Sequence, residues 1–119
     1  MLAMMAVMDA ERALGYEPVD VGKEKKGYDI ESKVPGTGKL RFIEVKGRVE
    51  SAETVTISKN EIITGLNKPE DSILAIVMVD GEKTKPYYVR EIFERGPGFG
   101  EVSVNYSLRD LLSRATGPS

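Results

Sequence analysis

The spacing of apolar residues changes along the chain, and each change marks an element. Over 2–14, Leu2, Met5, Met8 and either Ala6 or Ala13 fall near one helical stripe among good helix formers, so the pattern predicts an amphipathic helix stopped at Gly15. A short extended stretch (17–21) and a polar loop, GKEKKG (22–27), follow. YDIESKV (28–34) and KLRFIEVKGRV (39–49) read as two strands joined by the turn PGTG (35–38), which makes a hairpin. ETVTIS (53–58) is another strand-like run. Ser58 and Glu61 have capping-box spacing and open a helix that runs to about Leu66, where Asn67 and Pro69 end it. SILAIVMV (72–79) is almost unbroken in its apolar character, the pattern of a strand buried on both faces. Asp80-Gly81 turns the chain, and 85–93 returns as a strand or a strand plus a helical turn. GPGFG (96–100) reads as a mobile loop, Ser107 as the N-cap of a closing helix over 107–115, and TGPS as a frayed tail. The order α-β-β-β-(β)-α-β-β-α predicts an α+β sandwich, with helices against a mixed central sheet.

Composition narrows the chemistry more than the fold. The 119 residues suit one domain, and the chain's opening almost inside a helix suggests a piece of a longer protein. Hydrophobic residues make up 40% and charged ones 30%, enough for an ordinary core. There is no cysteine and no histidine, which removes Cys/His zinc sites, disulfide scaffolds, thiol nucleophiles and Ser-His-Asp catalysis. Carboxylates, lysines and hydroxyls remain, together with hard cations such as Mg²⁺ or Mn²⁺ held by oxygen. No apolar run approaches the roughly 20 residues that span a bilayer. The Met-rich start lacks a basic leader and carries Asp9, Glu11 and Arg12, so a cytoplasmic protein without a membrane partner is expected.

The informative segment is FIEVKG (42–47). Strand alternation puts Glu44 and Lys46 on one face, about 7 Å apart along the strand, with Ile43 and Val45 on the other. Leu40 and Phe42 share the Glu44 face, which therefore begins apolar and turns charged. Buried charges need partners or a metal. The hairpin can bring Asp29 beside Glu44, and two crowded carboxylates repel unless a divalent cation joins them. The Val45 carbonyl is a further candidate oxygen ligand, and so is Glu11 on the first helix. Lys46 would then lie beside both metal and phosphate. The bland alternatives are a surface ion pair for Glu44 and Lys46, a strand-end carboxylate for Asp29 and a solvent-facing position for Glu11.

Asp29, followed after 14 residues by Glu44-Val45-Lys46, resembles the PD-(D/E)XK signature of the restriction-endonuclease-like fold, whose αβββαβ core has the same element order. Tyr28 stands where that motif often carries proline. GYDIES (27–32), IEVKGR (43–48) and TISKNE (56–61) together look like the domain of unassigned function at the C-terminus of the plant protein NO VEIN, also found at the C-termini of many prokaryotic helicase-like proteins. The resemblance spans roughly residues 2–93. It implies a metal-dependent endodeoxyribonuclease, with Mg²⁺ or Mn²⁺ on Asp29 and Glu44, Lys46 as the catalytic lysine, and DNA as substrate. It also implies helicase domains in the parent chain.

The net charge of -2 advertises no nucleic-acid binder, although 20–50 carries 8 basic residues against 6 acidic ones. Lys23, Lys25 and Lys26 are candidate DNA-backbone contacts, with Lys33, Lys39, Arg41 and Arg48 as further members of the clamp. Lys59 and Asn60, at a helix start, are candidates for a phosphate there. Two rival expectations remain: a catalytically inactive DNA-binding module of the same fold, and a protein-interaction module that forms a homodimer through the Met-rich first helix.

Overall fold

The fold is known from a computed structural model that describes residues 2–93, 98 and 100–119. The predicted hairpin forms the centre of a five-stranded sheet. Its strands are β1 (Glu17–Asp20), β2 (Ile30–Val34), β3 (Lys39–Arg48), β5 (Ser72–Asp80) and β6 (Lys83–Arg90), in the order β1-β2-β3-β5-β6. β3 and β5 run parallel and the other neighbours antiparallel, so the sheet is mixed. A parallel pair needs a crossover. Here it consists of β4 (Thr54–Ser58) and helix α2 (Lys59–Asn67). The protein is α+β.

The two faces of the sheet carry separate cores. On one side, helix α1 (Leu2–Ala13) sets Val7 against Ile30, Ile43, Ala75 and Val77. On the other, α2 and β4 bury Ile62, Val55 and Ile57 against Leu74, Ile76 and Val89, joined by Leu108 and Leu111 of helix α3 (Leu108–Ser113). β5 lies between these cores, and Ile73–Val77 are buried without a break, as the apolar run predicts.

Two expectations need correction, and one strand escapes the pattern. β4 stands outside the central sheet. It forms a second, two-stranded sheet with β7 (Ser103–Ser107), a strand that the hydrophobic pattern did not mark. The inward face of α1 is not the Leu2/Met5 stripe: Met5 is 59% exposed, whereas Val7 and Glu11 are fully buried. The tail is not frayed either, because Thr116 and Tyr88 exchange backbone hydrogen bonds of 2.8 and 2.9 Å. The loop expected at 96–100 falls mainly outside the described residues.

Candidate functional site

The site is built on the end of the hairpin. β2 pairs with β3 up to Ile30 opposite Ile43, and continuing that register would set Asp29 opposite Glu44. The Asp29 N–H donates to the Ile43 carbonyl at 2.9 Å. Its side chain turns back, and Asp29 Oδ2 accepts from the Val45 N–H at 2.8 Å. Asp29 thus satisfies a backbone donor that β3 would otherwise leave bare once β2 diverges. The Val45 carbonyl faces the same strand edge as its N–H and is available as an oxygen donor.

Glu44 and Lys46 point to the α2 side, as alternation predicts, and α2 brings a residue to meet them. Ser58 is the N-cap: the Glu61 N–H donates to Ser58 Oγ at 3.2 Å, and the Ser58 N–H donates to Glu61 Oε1 at 2.9 Å. The same Glu61 oxygen accepts from Lys46 Nζ at 3.0 Å, while Lys46 Nζ lies 3.4 Å from Glu44 Oε2. Capping chemistry alone explains Glu61 from the sequence. Its second partner, Lys46, appears only when the helix start docks on β3. All three of these side chains are mostly buried, at 14 to 19% exposure.

Burial first, then the hydrogen bond to Glu61 and the charges of Asp29 and Glu61, push Glu44 up to about 9 against the pull of Lys46. Burial would push Glu61 up as well, but its hydrogen bonds from Glu44, the Ser58 N–H and Lys46 outweigh that and hold it below the usual carboxylate value. The pair therefore behaves as one carboxyl and one carboxylate sharing a proton, with Lys46 as counter-charge.

The remaining candidates disperse. Glu11 lies on the opposite face of the sheet, fully buried, and both its oxygens are taken. Arg41 donates to Oε1 and Oε2 at 3.0 Å each, and the Tyr88 hydroxyl donates to Oε2 at 2.8 Å. The expectation that Glu11 joins Glu44 is therefore corrected: it is the buried partner of Arg41, which is thereby withdrawn from any DNA clamp. Arg48 is also occupied, donating to the Gly47 and Thr54 carbonyls at 2.6 and 3.1 Å. Lys26 pairs with Glu24 and Glu31 at 3.3 Å each, while Lys23 and Lys25 stand exposed beside it. Lys59 and Asn60 are exposed at the start of α2, but the Lys59 N–H is used by the Val102 carbonyl and the Glu61 N–H by Ser58. Two of the donors that would receive a phosphate at this helix start are thus already spent.

Donor chemistry fits a hard cation in part. Asp29, Glu44 and the Val45 carbonyl offer oxygen, and a divalent ion would relieve the carboxylate charges that add to burial in raising Glu44. Among the described residues, however, no group of three acidic side chains forms a ready-made metal cage. No described helix is long and apolar enough to cross a membrane. No curated protein matches the chain. The family model described as "Protein NO VEIN, C-terminal" matches residues 1–89, from α1 through nearly all of β6 and including every residue of the acidic cluster. The chain belongs to the NO VEIN C-terminal family.

Proposed function

We propose that this is a nuclease-type domain of the restriction-endonuclease-like class, hydrolysing DNA phosphodiester bonds with Mg²⁺ or Mn²⁺ as an accessory to a helicase-type protein. What supports the reading is that Asp29 bonds the N–H of Val45, the residue between Glu44 and Lys46, while Lys46 Nζ lies 3.4 Å from Glu44 Oε2. Asp29, Glu44 and the Val45 carbonyl would hold the cation, which when bound would supply Lewis-acid polarisation of a phosphoryl oxygen. Through that ion, Asp29 and Glu44 would set where the phosphate is received. Lys46 is positioned by Glu61, and its ammonium would orient an attacking water or stabilise charge developing on the phosphoryl oxygens. Exposed Lys23 and Lys25 supply sequence-independent backbone attraction.

The rival reading is a catalytically silent DNA-binding module, favoured by one specific observation. Every member of the cluster already has a structural partner: Asp29 the Val45 N–H, Glu61 the helix cap, and Lys46 two glutamates. Cleavage of single- and double-stranded DNA in Mg²⁺ and Mn²⁺, by wild type and Lys46→Ala, separates the two. The nuclease reading expects metal-dependent cutting that is lost in the folded variant. No cutting of any DNA form, with salt-dependent binding retained, supports the silent module.

A further inference from the structure

Beside the acidic cluster lies a cavity of about 180 Å³, enclosed by the sheet, α2 and the chain leaving β6. Its walls are mostly apolar, with the rings of Tyr28, Phe42 and Phe93 over an aliphatic floor that includes Leu74. Tyr28 and Phe42 meet edge to face at 5.0 Å between centroids, so this wall is already packed. One end is polar. Glu44 and Glu61 line the cavity, and Ser72, also in its lining, has a buried Oγ with no hydrogen-bond partner among the described residues. A buried hydroxyl without a partner calls for an explanation, and a ligand that completes it is one.

The backbone around the cavity is arranged to keep it. Glu91, a non-glycine residue at φ 53°, turns the chain at the end of β6 so that Ile92 and Phe93 also line the space. Left-handed backbone at a non-glycine residue is uncommon and clusters at ligand sites. At Gly65, a Cβ would sit only 2.7 and 2.8 Å from the Phe93 ring, so the absence of a side chain there is what admits this wall.

We propose that this cavity receives a single unstacked nucleobase bearing an exocyclic amine, cytosine or adenine rather than thymine. This inference rests on the nuclease-type reading of the adjoining cluster. A dry cavity of about 150 Å³ holds benzene, so the present volume takes one heterocycle and leaves sugar and phosphate outside it. Aromatic walls suit a flat ring of any sequence. The carboxyl oxygens of Glu44 and Glu61 favour bases that present an exocyclic amine, in the way that acidic side chains read the cytosine amine, whereas thymine offers only its single ring N–H. Ser72 Oγ supplies the remaining hydrogen bond. Drawing a base out of the stack next to the strand to be cut would fix the register of the phosphodiester against Lys46.

The test uses single strands of dC, dT and abasic sugar-phosphate in EDTA, so that binding is read without cleavage. Fluorescence anisotropy should give the dC strand about tenfold tighter binding than the abasic strand, the lower end of what one stacked base contributes, with dT between them. Leu74→Phe, which fills the floor of the cavity, should close the gap. Cytidine added to wild type should shift the methyl resonances of Ile57, Leu74 and Val89, a measurement that needs no variant. Equal affinity for dC and abasic strands, an absence of binding, or silent methyl resonances overturns the proposal. Cutting of both strands alike in Mg²⁺ would sink the base pocket while the nuclease reading stood. Base-dependent binding without cutting would do the reverse.

Discussion

Arg41→Leu is the sharpest probe of how the fold holds its charges. Glu11 is fully buried, and Arg41, 13% exposed, closes on it with two parallel hydrogen bonds of 3.0 Å. Removing the guanidinium leaves a carboxylate in the α1 core with only the Tyr88 hydroxyl for company. Breaking a buried pair in this way costs about 3–5 kcal/mol. The Arg41 stack over Tyr16, at 4.6 Å to the ring centroid, is lost as well and adds roughly 0.5–1 kcal/mol. A domain of this size is stable by about 5–15 kcal/mol, so the variant forfeits a large share of its stability. At an m-value of about 2 kcal/mol/M in urea, the midpoint should fall by roughly 2 M. The double variant Glu11→Leu with Arg41→Leu removes both charges, and it should recover to within about 1–2 kcal/mol of wild type, since apolar replacement of a buried pair is often neutral. A single-variant cost under about 1 kcal/mol, or a double variant as unstable as the sum of the singles, refutes this account of the pair.

Further variants test the site from other directions. For Glu44→Gln, the folded pKa of about 9 exceeds the unfolded 4.5, so the folded chain keeps a proton that the unfolded chain sheds, and stability is lost as pH rises between those values. Glutamine escapes this loss. In EDTA the variant should be more stable by up to about 3 kcal/mol near pH 7 and gain nothing near pH 4, read from urea midpoints; an equal effect at both would contradict the shift. Gly65→Ala should gain about 1 kcal/mol from helix propensity, yet its Cβ would meet the Phe93 ring at 2.7 Å, and overpacking costs about 1–3 kcal/mol. A lowered melting temperature is therefore expected, and a raised one would mean that Phe93 yields freely. Ser58→Ala should cost about 1 kcal/mol and speed amide exchange in the first turn of α2; unchanged exchange would argue against the cap.

Local chemistry was the most legible part of the sequence. PGTG with alternating strands on either side announced the β2–β3 hairpin, and that hairpin carries Asp29 to Glu44. Ser58 and Glu61 announced the helix cap, and the unbroken SILAIVMV run announced the doubly covered β5. What escaped depends on partners distant in sequence. β7 pairs Asn105 with Thr56 across 49 residues, and its only local sign is the alternation of Val104 and Tyr106, too short to stand alone. The apolar pattern does not mark the inward face of α1, because a charged residue occupies it. Glu11 is apolar in neither composition nor pattern, and only the approach of Arg41 and Tyr88 makes it a core position. The sequence shows Glu61 as a cap and not as a partner of Lys46, because one carboxylate oxygen serves both and the cap is the only half that short spacing reveals.

The seam between β4 and β7 also bears on where this domain can be cut. The family match ends at residue 89, after the whole acidic cluster and nearly all of the central sheet, yet β4 inside the match is hydrogen-bonded to β7 outside it. A fragment ending there would retain Asp29, Glu44, Lys46 and Glu61 but expose a five-residue strand edge and uncover Val55 and Ile57. Bare edges with apolar neighbours recruit other chains. Soluble expression of the minimal matched segment is thus a question of edge protection rather than of the site, and any relative with a different C-terminal extension must shield that ladder by other means.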